Sequence, residues 1–148
     1  GNMGDVMKES AMIAYSYGRA ITESGKYKVD MKYFDEHMLH LHIPEGAVPK
    51  DGPSAGVTMT TAMLSAVTGI PVRPDVAMTG EVTLRGRVLA IGGLKEKLLA
   101  AKLAGMKKVL VPEENVSDVE ELDAEITDGL ELVYVKDMSE VLNNALVL

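Results

Sequence analysis

Short apolar runs alternate with longer helical patterns along this chain, and the alternation limits the fold more than any other feature of the sequence. Runs rich in Val and Leu predict buried strands, and apolar residues spaced three and four apart predict helices. The pattern predicts a single compact domain of the α/β or α+β class, with a mixed sheet and packed helices. We expect strands at Val76–Met78, Val109–Val111 and Leu130–Val135, a hairpin from Glu81–Leu84 to Val88–Ile91, and helices at Leu94–Ala104, Ser117–Leu122 and Met138–Leu146.

The first half of the chain adds two helices and one strand to this prediction. Alternation with period two places His40 and His42 on one face of the strand and its leucines on the other. Proline and glycine then predict a turn-rich loop. We expect helices at 4–23 and 54–67, the second ended by Gly69, with the strand at 38–43 and the loop at 44–53.

Composition excludes several classes of protein. Hydrophobic residues make up 47% of the 148 residues and charged residues 25%, as in a globular domain. Aromatic residues make up only 4%, so a nucleic-acid binder built on base stacking is not expected. The chain has no cysteine, which excludes disulfides, thiolate zinc sites and thiol nucleophiles.

Charge is unevenly distributed, and one long segment has none. Residues 109–148 contain eleven acidic residues and one basic residue, Lys136. We expect a solvated acidic face there, or else a surface for basic segments, and not a DNA-binding site.

The 21 residues Gly52–Val72 carry no charge but include six hydroxyl residues, so they predict a buried helix and not a membrane span.

The loop before the second helix is a candidate anion or oxyanion site. Gly52 and Gly56 allow close approach of the backbone, and the start of a helix offers unpaired N–H groups. The hydroxyl of Ser54 lies where it can face such a site as a nucleophile. Alternatively, Ser54 only caps the helix.

Lys97 is a candidate general base for that serine. Helical phase places Lys95 and Lys102 on one side of their helix, and Lys97 nearly opposite, among alanines. Burial of a lysine favours the uncharged amine, which can accept a proton. The alternative is a lysine whose stem lies on the protein while its amine reaches solvent.

Two further residues are candidates for controlling this amine. Thr79, at the end of a predicted strand, can hydrogen-bond the amine, or is an ordinary β-branched strand residue. Asp51 can pair with Lys97 and keep it charged and inactive, or is simply a turn residue.

These residues lie in segments that carry a family resemblance: HLHIPEGA (40–47), KDGPSAG (50–56), MTGEVTLRG (78–86) and IGGLKEKLL (91–99). The segments resemble the proteolytic domain of Lon, the ATP-dependent serine protease, of the bacterial type with its ATPase on the same chain. The resemblance covers essentially the whole sequence.

The resemblance implies an α+β domain with a Ser–Lys dyad, in which Ser54 is the nucleophile and Lys97 the general base. Thr79 matches the family's lysine-orienting threonine, and Asp51 an aspartate near the lysine in resting forms. It also implies homo-hexameric rings in the cytoplasm that cleave unfolded or damaged proteins. No cofactor is expected in this domain. ATP and Mg²⁺ are expected only for an ATPase module, which this sequence lacks along with the family domain's N-terminal edge.

Three other interpretations stay open. All three histidines lie at 37–42, and His40 and His42 share one face of the predicted strand, where they can share a metal ion; His37 is not clearly on that strand, and no carboxylate is placed as a third ligand. Hydrogen bonds that support the loop before Ser54 are the simpler role for His40 and His42. The glycine- and serine-rich turn also suits a phosphate-binding module. Finally, the chain can be a non-catalytic fragment for ring assembly, with a resting or incomplete site.

Overall fold

The computed structural model describes residues 2–23 and 56–147. Within these ranges, a three-stranded parallel sheet and a separate two-stranded hairpin are surrounded by helices. The helices are α1 (Asn2–Glu23), α2 (Gly56–Thr68), α3 (Leu94–Leu103), α4 (Val116–Glu120), α5 (Ala124–Thr127) and α6 (Met138–Ala145). The strands are β1 (Val76–Met78), β2 (Glu81–Val82), β3 (Val88–Leu89), β4 (Lys108–Pro112) and β5 (Glu131–Val135), with a 3₁₀ turn at Glu113–Asn115.

Strand β4 is the centre of the sheet. It pairs in parallel with β1, with Ala77 opposite Val109, and with β5, with Val111 opposite Tyr134. Four of its five residues are buried, which explains why this strand is an almost continuous apolar run in the sequence.

The two faces of the sheet pack against different helices. Leu110 of β4 belongs to the larger apolar core, which α1, α2 and α6 complete. Its neighbours Val109 and Val111 point to the opposite face and pack with α3 and α5. The sheet is therefore the middle layer of the described structure, and α3 and α2 lie on opposite sides of it.

The hairpin of β2 and β3 is attached through the segment after β5. Val88 N–H donates to Lys136 O at 2.8 Å, and Met138 N–H donates to Gly86 O at 2.7 Å. Gly86 has φ +87°, and Tyr17 of α1 packs directly over it. The turn of the hairpin is thus held between α1 and the start of α6.

Most sequence predictions that fall on the described residues are confirmed. The α+β class, the first strand, the hairpin and the four long helices occur where expected, and positive φ at Gly69 and Gly105 follows the ends of α2 and α3. Of the nine acidic residues from Glu113 to Glu131, eight are exposed, as expected of a solvated face. No helix in the described ranges is both long enough and apolar enough to cross a membrane.

Three details differ from the prediction. Among the residues that the structure describes, the hairpin does not pair with the parallel sheet; between β1 and β2, Gly80 has φ +146° and its carbonyl accepts from Val57 N–H of α2. The helix predicted at 117–122 begins and ends earlier, at Val116–Glu120, and α5 was not predicted. The strand predicted at 38–43 and the loop at 44–53 lie outside the described residues.

Candidate active site

The N-terminus of α2 is pressed against the turn between β1 and β2. Val57 N–H donates to Gly80 O at 3.1 Å. A Cβ on Gly56 would lie 3.2 Å from Val82 N, and one on Gly80 would lie 3.0 Å from a methyl of Val57. Glycine at both positions therefore permits a contact between backbones that any side chain would push apart.

Thr79 lies at this contact, directly after β1. Its N–H continues the parallel ladder by donating to Leu110 O at 3.1 Å. Its side chain is 5% exposed, and within the described residues its hydroxyl has no hydrogen-bond partner. Because a buried hydroxyl without a partner costs about 1–3 kcal/mol, its presence here calls for an explanation beyond stability.

A cavity of about 320 Å³ brings Thr79 and Lys97 together. Thr58, in the first turn of α2, also lines it. The rest of the lining is mostly apolar and includes Met78 and Ala101. An amine and two hydroxyl side chains therefore share a small apolar space between α2, the end of β1 and α3.

The prediction that Lys97 lies on the opposite side of α3 from Lys95 and Lys102 is confirmed. Lys95 and Lys102 are exposed, and the Lys102 amine donates to Glu125 O on α5. Lys97 instead lines the cavity, together with Ala100 and Ala101 on the same face of the helix. Its side chain is half-buried, which lies between the two alternatives that the sequence left open, a buried amine and an amine that reaches solvent.

The other predicted site residues lie outside the described residues: Asp51, Ser54, His40 and His42. Their roles stay predictions. Among the residues that the structure describes, no group of three or more His, Cys, Asp or Glu side chains could hold a metal ion.

Sequence reasoning missed Thr58 as a cavity residue. The available signal was its position four residues after Ser54, which places both residues on one face of the helix predicted at 54–67.

Comparison with known proteins identifies the family. A family model described as the Lon protease (S16) C-terminal proteolytic domain matches residues 1–148. The chain belongs to the Lon protease family. It corresponds to the serine peptidase domain of Lon, a hydrolase, which confirms the resemblance carried by the four sequence segments.

Curated bacterial Lon proteases match almost the entire chain. The Lon protease of Lachnoclostridium phytofermentans is 63% identical over 99% of the chain. Those of Brucella abortus and Bacillus thuringiensis are 56% and 52% identical over the same share. The chain spans only 18% of the length of these relatives.

Proposed function

We propose that this chain hydrolyses peptide bonds of unfolded or damaged proteins through a dyad of Ser54 and Lys97. The observation that carries the proposal is the cavity in which Lys97, Thr79 and the first turn of α2 meet. Ser54 precedes Gly56, the first residue of α2, by two positions, and two residues of chain span at most about 7 Å. This reach supports a serine hydroxyl at the cavity that Lys97 lines.

The chemistry begins with proton transfer. The uncharged Lys97 amine takes the proton from Ser54 Oγ, and Oγ attacks the carbonyl carbon of the scissile peptide. Backbone N–H groups at the start of the helix stabilise the oxyanion of the tetrahedral intermediate. The ammonium group of Lys97 then protonates the leaving amine, and water hydrolyses the acyl-enzyme by the same steps.

The apolar lining of the cavity supports this role for Lys97. Alanine and methionine side chains line the space beside Lys97, and no acidic side chain is among the described residues that line it. The unpartnered Thr79 hydroxyl lines the same space and is available to orient the amine through a hydrogen bond. We assign Thr79 to this positioning role.

Asp51, His40 and His42 complete the proposal as supporting residues. Asp51 would pair with Lys97 in a resting form and hold it charged. The two histidines would stabilise the loop that precedes Ser54 by hydrogen bonds. Substitution of each residue, followed by the hydrolysis assay described below for the dyad, tests these roles.

The longer protein would act as an ATP-dependent homo-hexamer in the cytoplasm. This part of the proposal is supported by membership in the Lon family and by the length of the curated relatives. ATP and Mg²⁺ would bind the ATPase module of such a protein. No step of the peptidase mechanism passes through them.

Hydrolysis of an unfolded polypeptide, followed by mass spectrometry of the fragments, tests the proposal. We expect cleavage by the unmodified chain, and none with Ser54→Ala or Lys97→Met. Lys95→Met is the matched control, because Lys95 is an exposed lysine on the same helix. Absence of cleavage by the unmodified chain would favour the fragment for ring assembly, and cleavage by Lys97→Met at the control's rate would exclude Lys97 as the base.

A further inference from the structure

Asn115 makes an unusual set of contacts for a residue in a short surface turn. It lies in the 3₁₀ turn after β4, and its side chain is 1% exposed. It precedes α4 at the position where asparagine commonly caps a helix, yet its side chain makes no capping hydrogen bond. The amide reaches instead across 24 residues of sequence to Ile91.

The amide of Asn115 pairs with both backbone groups of Ile91. Ile91 N–H donates to Oδ1 at 3.0 Å, and Nδ2 donates to Ile91 O at 3.0 Å. The second hydrogen of Nδ2 goes to Asp118 Oδ2 at 2.8 Å. This arrangement fixes the orientation of the amide, since the flipped form would place a donor against a donor and an acceptor against an acceptor.

Ile91 is the last fixed point before the helix that carries Lys97. Gly92 and Gly93 follow it, with Gly93 at φ +69°, and α3 begins at Leu94. Two successive glycines give the backbone wide freedom, so the direction of the helix depends on how the chain is held on either side of them. On the N-terminal side of the two glycines, the hydrogen bonds of Asn115 fix the backbone of Ile91.

Strand β4, which precedes Asn115, also positions the other side of the cavity, where Thr79 lies. Thr79 N–H is bonded to Leu110 O in β4, and Asn115 lies three residues beyond the end of β4. The contact of Thr79 with β4, and that of Ile91 with the turn after β4, therefore position the Thr79 residue and the start of the helix that carries Lys97. We propose that Asn115 is a positioning residue that acts through Ile91 and α3 to set the Lys97 amine, an inference that rests on the proposed peptidase function.

Asn115→Asp removes both donors while nearly conserving shape, and places a carboxylate against Ile91 O and Asp118. We expect kcat for a peptide substrate to fall about 10- to 100-fold with KM within about 2-fold, since a displacement of about 1 Å in a catalytic group can cost about 100-fold. Asn115→Leu also removes the oxygen that accepts from Ile91 N–H, so in this second variant hydrogen exchange of the Ile91 amide should accelerate. Asn144→Ala removes an amide that, within the described ranges, donates to Glu140 O of the same helix; it is the matched control and should leave kcat unchanged.

A double exchange separates positioning from simple structural support. Asn115→Asp combined with Asp118→Asn restores a hydrogen bond between the two side chains, but not the bond to Ile91 O. We expect Tm to recover while kcat stays low. Recovery of kcat together with Tm in the double exchange, or unchanged exchange of the Ile91 amide in Asn115→Leu, would overturn the positioning role. If the unmodified chain showed no turnover, or turnover equal to that of Lys97→Met, the proposed function would be overturned instead. The positioning role of Asn115 would then be overturned with it.

Discussion

Replacing Thr79 with valine removes one hydroxyl group and leaves the shape of the side chain nearly unchanged. In the described structure that hydroxyl is buried and has no hydrogen-bond partner. Its burial costs about 1–3 kcal/mol of desolvation that no bond offsets. Thr79→Val should therefore leave the free energy of unfolding unchanged or raise it by up to about 2 kcal/mol. For a chain of this size, each kcal/mol corresponds to a rise in Tm of about 2–4 °C.

Activity should change in the opposite direction. If the Thr79 hydroxyl orients the Lys97 amine during catalysis, Thr79→Val lowers kcat by about 10-fold or more while KM stays nearly constant. The assay is peptide hydrolysis at saturating substrate, combined with urea unfolding of the same preparations. A variant that gains stability and loses turnover has lost a functional group that the fold did not need.

Thr60 provides a matched control for this experiment. Its hydroxyl is also buried and without a partner among the described residues, but it does not line the cavity. Thr60→Val should change stability in the same direction as Thr79→Val and leave kcat unaltered. Equal kcat in Thr79→Val and the unmodified chain would refute the orienting role. A loss of more than about 1 kcal/mol of stability in Thr79→Val would show that its hydroxyl is bonded after all.

Two further predictions concern the attachment of the hairpin and of α6. Gly86→Ala should lower stability by more than about 1 kcal/mol, measured by urea unfolding, because φ is +87° and the new Cβ would lie 2.9 Å from the Tyr17 ring. Adding Tyr17→Leu should recover the part due to the clash. Asp137→Ala removes the cap of α6, in which the carboxylate accepts from Glu140 N–H, and should cost about 1 kcal/mol near neutral pH. The hydrogen bond from the Ser139 hydroxyl is the largest cause that lowers the pKa of Asp137. The difference in free energy of unfolding between the unmodified chain and Asp137→Ala should therefore be complete above about pH 4 and disappear as the pH falls further. Urea unfolding of both proteins at several pH values will check this.

The sequence predicted the elements whose signals are local. Val109–Val111 is an apolar run that becomes the buried central strand, and Gly105 ends α3 because it tolerates the left-handed backbone. The orientation of Lys97 followed from helical phase alone, which depends only on spacing within one helix. Local periodicity therefore predicted the helix face on which Lys97 lies, but not the cavity that this face lines.

Features that depend on distant contacts could not be predicted. The short helix α5 lacks enough turns to show a periodic pattern, and such helices depend on tertiary packing. The bond between Asn115 and Ile91 joins segments 24 residues apart, and no sequence spacing marks it. Likewise, the missing partner of the Thr79 hydroxyl is a property of the packed structure. The placement of Ser54 stays a prediction.

Covalent labelling with a fluorophosphonate tests the central claim most directly, because it measures the reactivity of the serine without a need for substrate binding. The account predicts that Ser54 is labelled in the unmodified chain and in Lys95→Met. In Lys97→Met, it predicts a labelling rate at least about 100-fold lower, since the hydroxyl then has no base. Labelling of Ser54 at the same rate in Lys97→Met and Lys95→Met would contradict it.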